Sequence, residues 1–290
     1  MTKMTPYTPR NAFTVDLEDW FQGLTSTNPH PERWPSLESR VVSATGKLLD
    51  LLHVHDVQAT FFVLGCVADC FPELIRSIGE AGHEIGVHGY YHRFIYKLSP
   101  DEFRRELGQA IEAVERAAGV MPAGHRAPYF SVNASTPWAF DALAEAGIEY
   151  DSSVFPTRSM LYGYPGAPRF PYRMAQSGLV EYPVSTLQVG RYTLPILGGF
   201  YSRALPYAVT RWAIRRLNAQ GQPAILYIHP WELDLGQNYR RVTPRERITH
   251  YHGRRGLEAK LRRLFTDFRF TRLGELGVAA NSSNLERSKA

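Results

Sequence analysis

With 290 residues, 44% of them hydrophobic, 21% charged and 12% aromatic, the chain has room for one large domain with a sizeable core. Its net charge of +5 is spread out, and basic stretches such as Arg240-Arg241 and Arg254-Arg255 are too short and interrupted to form the basic stripe of a nucleic-acid-binding protein. The sequence holds no run of about 18 apolar residues to span a membrane and no signal-peptide core in residues 1–10; its two cysteines, Cys66 and Cys70, support neither a disulfide framework nor a zinc knuckle, so the expectation is a cytoplasmic protein with buried free thiols.

In chain order, short apolar or β-branched runs alternate with amphipathic stretches. Strands are predicted over 12–16, 59–64, 84–88, 148–152, 179–184, 224–228 and 268–271, and helices over 37–53, 72–81, 100–118, 137–146, 205–219 and 256–265. Ser99-Pro100-Asp101-Glu102 is a strong helix start, with a capping serine, proline at the first position and acids in the first turn. Ser135-Thr136-Pro137 reads the same way. The Gly/Pro/Tyr/Arg-rich stretch 158–173 is too long for a plain connector and reads as an ordered functional loop. Repeated βα units imply a parallel sheet with helices outside it. The predicted class is α/β, a closed or nearly closed barrel in a single domain over residues 12–274. Residues 1–11 form an N-terminal extension and 275–290 a flexible tail. In such barrels the chemistry gathers at the C-terminal ends of the strands.

Four clusters fall at predicted strand ends. Asp16-Leu17-Glu18-Asp19-Trp20 places three carboxylates within four residues, a repulsion that a bound cation or an arginine would offset. His88 and His92, four apart and read here as a helical turn, can present both imidazoles to one metal, and two histidines with one carboxylate make a frequent catalytic metal set. Arg126, beside Pro128, Tyr129 and Phe130, is suited to hold a carboxylate. His229, ahead of Trp231 and Glu232, is a candidate proton donor. Each cluster has a bland alternative: a solvated acidic turn, unrelated surface histidines, a surface arginine, a core histidine. Their shared position at one barrel mouth favours a site.

The ordered set Thr14-Val15-Asp16…Asp19, His88-x-x-x-His92, Arg126-x-Pro128-Tyr129 and Ile228-His229 resembles the motifs of carbohydrate esterase family 4, the NodB-like polysaccharide deacetylases, over about residues 12–272. The details Asp-Leu-Glu-Asp-Trp-Phe-Gln and His-Pro-Trp-Glu-Leu-Asp are similar to a subgroup found with exopolysaccharide and exosortase systems. The resemblance implies a deformed (β/α)7-type barrel and a divalent metal, usually zinc. It implies His88 and His92 as ligands and Asp16 as general base positioned by Arg126. Tyr129 would offer a backbone N–H to the oxyanion, and His229 would be the general acid, tuned by Asp151. Where relatives place two aspartates side by side, Leu17 and Glu18 here separate Asp16 from Asp19. The metal carboxylate is therefore Asp19, read past a two-residue insertion, or Glu18, since i and i+2 share a strand face; Asp19 is favoured.

The implied activity is removal of N-acetyl groups from N-acetylhexosamine residues of an exopolysaccharide, on finished polymer or on a lipid-linked oligosaccharide at the inner membrane face. Trp20, Tyr91, Phe130, Trp231 and Glu232 are expected to contact sugar, and polysaccharide-assembly proteins are expected partners. Rival readings are an amidohydrolase or deformylase acting on a small or lipid-linked amide, and a catalytically silent glycan-binding subunit.

Overall fold

The computed structural model describes residues 10–157, 163–237 and 241–277; most of the predicted extension and tail, and part of the 158–173 loop, lie outside them. Seven parallel strands lie side by side in the sheet. They are β1 (Asn11–Leu17), β2 (Thr60–Val63), β3 (Glu84–Val87), β4 (Gly124–His125), β5 (Tyr150–Asp151), β7 (Val180–Glu181) and β10 (Ile225–Ile228). Their order across the sheet is β10-β1-β2-β3-β4-β5-β7. A short antiparallel strand, β6 (Tyr172–Arg173), flanks β7, and β11 (Phe270–Thr271) pairs with the start of β1.

The sheet curls toward closure. Among the described residues no ladder joins β7 to β10; the Ile225 N–H instead donates to Ser185 Oγ at 2.8 Å across the seam. Along β1 the side chains alternate. Phe13, Val15 and Leu17 pack outward into the core shared with the helices, while Ala12 joins the inner cluster with Phe62, Tyr150, Tyr182 and Ile225. Thr14, Asp16 and Glu18 therefore share the inner face, with the acids toward the C-terminal end.

Outside the sheet lie helices α1 (Val41–Val54), α2 (Gly65–Cys70), α3 (Pro72–Glu80), α4 (Pro100–Ala118), α5 (Trp138–Glu145), α6 (Gly199–Ala204), α7 (Tyr207–Asn218), α8 (Pro244–Tyr251) and α9 (Arg254–Asp267). Helix α4 opens on the predicted Ser99 cap, which forms a reciprocal capping box with Glu102. Helix α5 does not open on its Ser-Thr pair: Thr136 Oγ1 instead accepts from Asn133 N, and no side chain caps the helix. The predicted 37–53 helix begins four residues later because residues 31–36 form a 3-10 turn ending in an extended Leu37. Patterning missed the two-residue β4, and also the hairpin of β8 (Thr186–Val189) and β9 (Tyr192–Pro195), half of whose residues are exposed. The cysteines are free, but Cys66 is half-buried and Cys70 exposed, so the expected burial fails for the latter. No helix among the described residues is long and apolar enough to cross a membrane.

Candidate active site

Asp16 and Arg126 form the floor. Arg126, on the residue after β4, is fully buried. It donates from Nη1 to Asp16 Oδ1 at 2.7 Å and to Thr14 Oγ1 at 2.8 Å, from Nη2 to Ser152 Oγ at 2.9 Å, and from Nε to the Ser152 carbonyl at 3.1 Å. The guanidinium lies 4.3 Å from the centre of the Phe62 ring. One oxygen of Asp16 is thus committed to a fixed cation.

Glu18, His88 and His92 form the wall. All three are buried, and each brings a ligand-type atom within 4.8 Å of the others. The 88–92 segment is not helical, as the spacing had suggested. It is a loop in which Gly89 (φ 76°) and His92 (φ 54°) take left-handed conformations that fold the second imidazole back over the first, with ring centroids 5.1 Å apart. His88 Nδ1 donates to the Arg126 carbonyl at 2.7 Å, which leaves Nε2 free as a lone-pair donor. The Asn28 amide donates to the His92 carbonyl at 2.9 Å and to the Gln22 carbonyl at 2.8 Å, pinning this loop to the segment after β1. Sequence reading missed Asn28, and a lone asparagine gave no signal for it.

The carboxylate beside the histidines is Glu18. Its Oε2 is 2.9 Å from His92 Nε2 but takes no aligned hydrogen bond there; Oε1 accepts from the Trp231 indole N–H at 3.1 Å. Burial pushes the Glu18 carboxyl up, but His92 foremost, then His229 and His88, outweigh it and hold it well below the usual range. Burial pushes His88 down to about 3, against the pull of Asp16, so its imidazole is neutral as a ligand must be. An orphaned buried carboxylate oxygen facing two imidazoles suits a divalent cation.

Asp19, the favoured ligand from sequence, is not in this group. Its carboxylate caps α1, accepting from Ser39 Oγ at 2.5 Å, Arg40 N at 2.9 Å and Val41 N at 3.3 Å, and also from Trp20 N at 2.9 Å. β1 ends at Leu17, so Asp19 lies beyond the strand's alternation and turns toward a helix N-terminus.

His229, the residue after β10, closes the pocket. Its Nε2 lies 3.5 Å from Glu18 Oε1 and 3.9 Å from Asp16 Oδ2. Its Nδ1 donates to Glu232 Oε1 at 2.7 Å. Burial opposes its charge, but Glu18, Glu232 and Asp16 together push its pKa up to about 9. Asp151, expected to tune this histidine, instead accepts from His125 Nδ1 at 2.7 Å and Ser153 Oγ at 2.6 Å; Glu232 occupies the tuning position. Sequence reading took Glu232 for a sugar contact; the signal that could have found it is the His229/Glu232 spacing of three, a capping-box spacing.

Tyr129 and Phe130 hold consecutive left-handed backbone conformations, φ 56° and 50°, a strained arrangement typical of functional sites. The Tyr129 ring stacks on Phe94 at 4.1 Å and lies 4.4 Å from the His92 ring. Of the expected sugar contacts, only Tyr91 is exposed, at 40%. Trp20, Phe130, Trp231 and Glu232 are buried; each is packed or hydrogen-bonded within the protein and offers no open face to a sugar.

Residues 34–150 match the polysaccharide deacetylase family, and residues 152–277 match a domain of unknown function. A Bacillus cereus peptidoglycan-N-acetylglucosamine deacetylase is 42% identical over 85 residues, 29% of this chain and 31% of the relative. A Listeria monocytogenes protein of the same name is 37% identical over 91 residues, 31% of this chain and 20% of the relative. The matched stretch thus spans under a third of these relatives' own lengths. A Mycobacterium smegmatis crystal structure assigned to the polysaccharide deacetylases superposes with a TM-score of 0.61 at 27% identity, covering 94% of this chain and 93% of that one.

Proposed function

We propose that this chain, whose residues 34–150 belong to the polysaccharide deacetylase family, is a metal-dependent hydrolase that removes acetyl groups from N-acetylhexosamine residues of a glycan. The observation carrying this reading is the convergence on one pocket of the Glu18/His88/His92 group, the Arg126-held Asp16, and His229 with Glu232 behind it.

Glu18, His88 and His92 would hold the cation, whose set of two imidazoles and a carboxylate fits zinc. When bound, the cation polarises the acetyl carbonyl and lowers the pKa of water beside it. The remaining work falls to this chain's own groups. Asp16, with one oxygen fixed by Arg126, takes a proton from the attacking water. The backbone N–H of Tyr129 donates to the oxygen that gains negative charge as the carbonyl carbon becomes tetrahedral. His229 Nε2 gives its proton to the sugar nitrogen as the C–N bond breaks. Acetate and a free amine result. Glu232 keeps the proton-bearing nitrogen of His229 turned to the pocket.

Exopolysaccharide and peptidoglycan strands share this N-acetylhexosamine chemistry. The test is acetate release from N-acetylglucosamine oligomers of graded length, before and after chelation and zinc add-back. Release that grows with length, disappears with chelator and returns with zinc is expected. Length-independent release would move the substrate to a small or lipid-linked amide, and release untouched by chelation would overturn the metal assignment.

A further inference from the structure

The Trp231 side chain touches both halves of the site. Its indole N–H donates to Glu18 Oε1 at 3.1 Å. Its ring lies nearly parallel to two imidazoles: His229, with centroids 5.0 Å apart and planes 19° from parallel, and His250, at 3.9 Å and 9°. His250, on α8, is itself anchored: its Nε2 is 3.2 Å from Gln237 Oε1, which also accepts from Arg254 Nη1 at 2.7 Å. Arg254 Nη2 donates to the Asp234 carbonyl at 2.7 Å. Trp231, Gln237, His250 and Arg254 are all buried, and all lie in the stretch matching a domain of unknown function.

We infer that Trp231 is a positioning residue joining the two halves of the site, its indole N–H orienting the Glu18 carboxylate and its ring face orienting the His229 imidazole, with His250 bracing it from α8. The inference rests on reading Glu18 as a metal ligand and His229 as the proton donor. A glutamate has one more rotatable bond than an aspartate, so a ligand of this type needs an external hold to keep its oxygen on the cation. Two features supply that hold. The indole N–H fixes Oε1, and Gly23 leaves room for it: a Cβ there would come within 3.1 Å of Glu18 Oε1. The Oε2 atom then faces the histidines without an aligned donor of its own. Trp231, Gln237, His250 and Arg254 thereby acquire a task, which is to back the site.

The test separates the indole N–H from the ring. In the full chain, zinc affinity is measured by competition with a chromophoric chelator, and urea unfolding of the metal-free protein is followed alongside. Trp231→Phe keeps a flat ring but loses the donor. It is expected to weaken zinc binding by about 10–100-fold, to leave the urea midpoint of the metal-free protein near that of the parent, and to recover kcat at saturating zinc. Trp231→Leu loses both and is expected to stay slow even when saturated. Parent-like zinc affinity in Trp231→Phe would overturn the Glu18 half, and full recovery in Trp231→Leu the His229 half. A parent chain that binds no zinc would bring down the metal reading itself. Should the variants not fold, the indole N–H resonance of Trp231 in the parent serves instead, assigned through its contacts to His229 and His250. It is expected to move on zinc addition more than those of Trp138 and Trp212, and an unmoved resonance would overturn the proposal.

Discussion

Glu232 Oε1 holds His229 at two points, accepting from its side-chain Nδ1 at 2.7 Å and from its backbone N–H at 3.0 Å. The other oxygen of Glu232 is engaged by the buried Arg203, which also donates to the carbonyls of Thr249, His250 and His252. The carboxylate is therefore both charged and immobile, and it favours the protonated form of His229. A general acid works only while protonated, so activity falls as pH rises through its pKa. Glu232→Gln removes the charge, lowers that pKa, and is expected to move the alkaline limb of the kcat profile to lower pH while lowering kcat. An alkaline limb that stays in place would mean that another group donates the proton.

The division of labour between Glu18 and Asp19 can be read by a pair of variants. Asp19 accepts from the N–H groups of Arg40, the N-cap of α1, and of Val41, its first residue, and removing such a cap costs about 0.5–2 kcal/mol. Asp19→Ala is therefore expected to lower the urea midpoint yet bind zinc like the parent. Glu18→Gln, still the right shape but a poor ligand, is expected to fold and to lose stoichiometric zinc on elemental analysis. The reverse pattern, zinc lost with Asp19 and kept without Glu18, would return the ligand role to Asp19.

This pair also shows how far the sequence could be read. Alternation along β1 is a local rule, and it placed Asp16 and Glu18 on one face. The turn of Asp19 toward α1 depends on where a helix 22 residues later begins, which local patterning missed by four residues. The strands of the parallel run were legible where the surrounding residues carry an apolar or alternating pattern, as for the equally short β5 and β7; β4 was not, because Gly124-His125 sits in Met-Pro-Ala-Gly-His-Arg-Ala-Pro, which carries neither. The pairing of Asp151 with His125 rather than His229 follows from adjacent strand ends, β4 beside β5, which is a matter of sheet order and not of motif. The stacked imidazole–indole–imidazole arrangement left no trace in the sequence, since His250 lies 19 residues beyond Trp231 on a different element.

Two buried histidines, His83 at the far end of the sheet from the reacting groups and His250 behind Trp231, set an acid limit on stability. Burial, reinforced by Arg272, pushes His83 down to about 4; burial, with Arg254 and Arg203, pushes His250 down to about 3. His83 Nδ1 accepts the Ala59 N–H at 3.2 Å, a bond that protonation would break. Both folded pKa values lie below the unfolded value near 6.5, so the unfolded chain binds more protons between about pH 6.5 and 4, and stability must fall as pH drops through that window. The urea midpoint is expected to decline across it, and His83→Gln, which cannot titrate, is expected to flatten the decline. An equal slope in parent and variant would place the acid sensitivity elsewhere.

Among the described residues, the β7–β10 seam is closed without a backbone ladder. Every other junction in the parallel run β10-β1-β2-β3-β4-β5-β7 is a backbone ladder, whereas here the Ile225 N–H reaches a side chain, Ser185 Oγ, with both residues buried. Ser185→Ala leaves that donor without a partner and is expected to cost about 1–3 kcal/mol in urea unfolding. Because β10 leads directly to His229, loosening its first residue should also be felt at the mouth. The Ile225 amide should exchange with solvent faster in the variant, while amides of β2 and β3, on the far side of β1, keep their protection. If Ile225 exchange is unchanged, the seam is held by packing of the flanking apolar residues, and Ser185 contributes no closure.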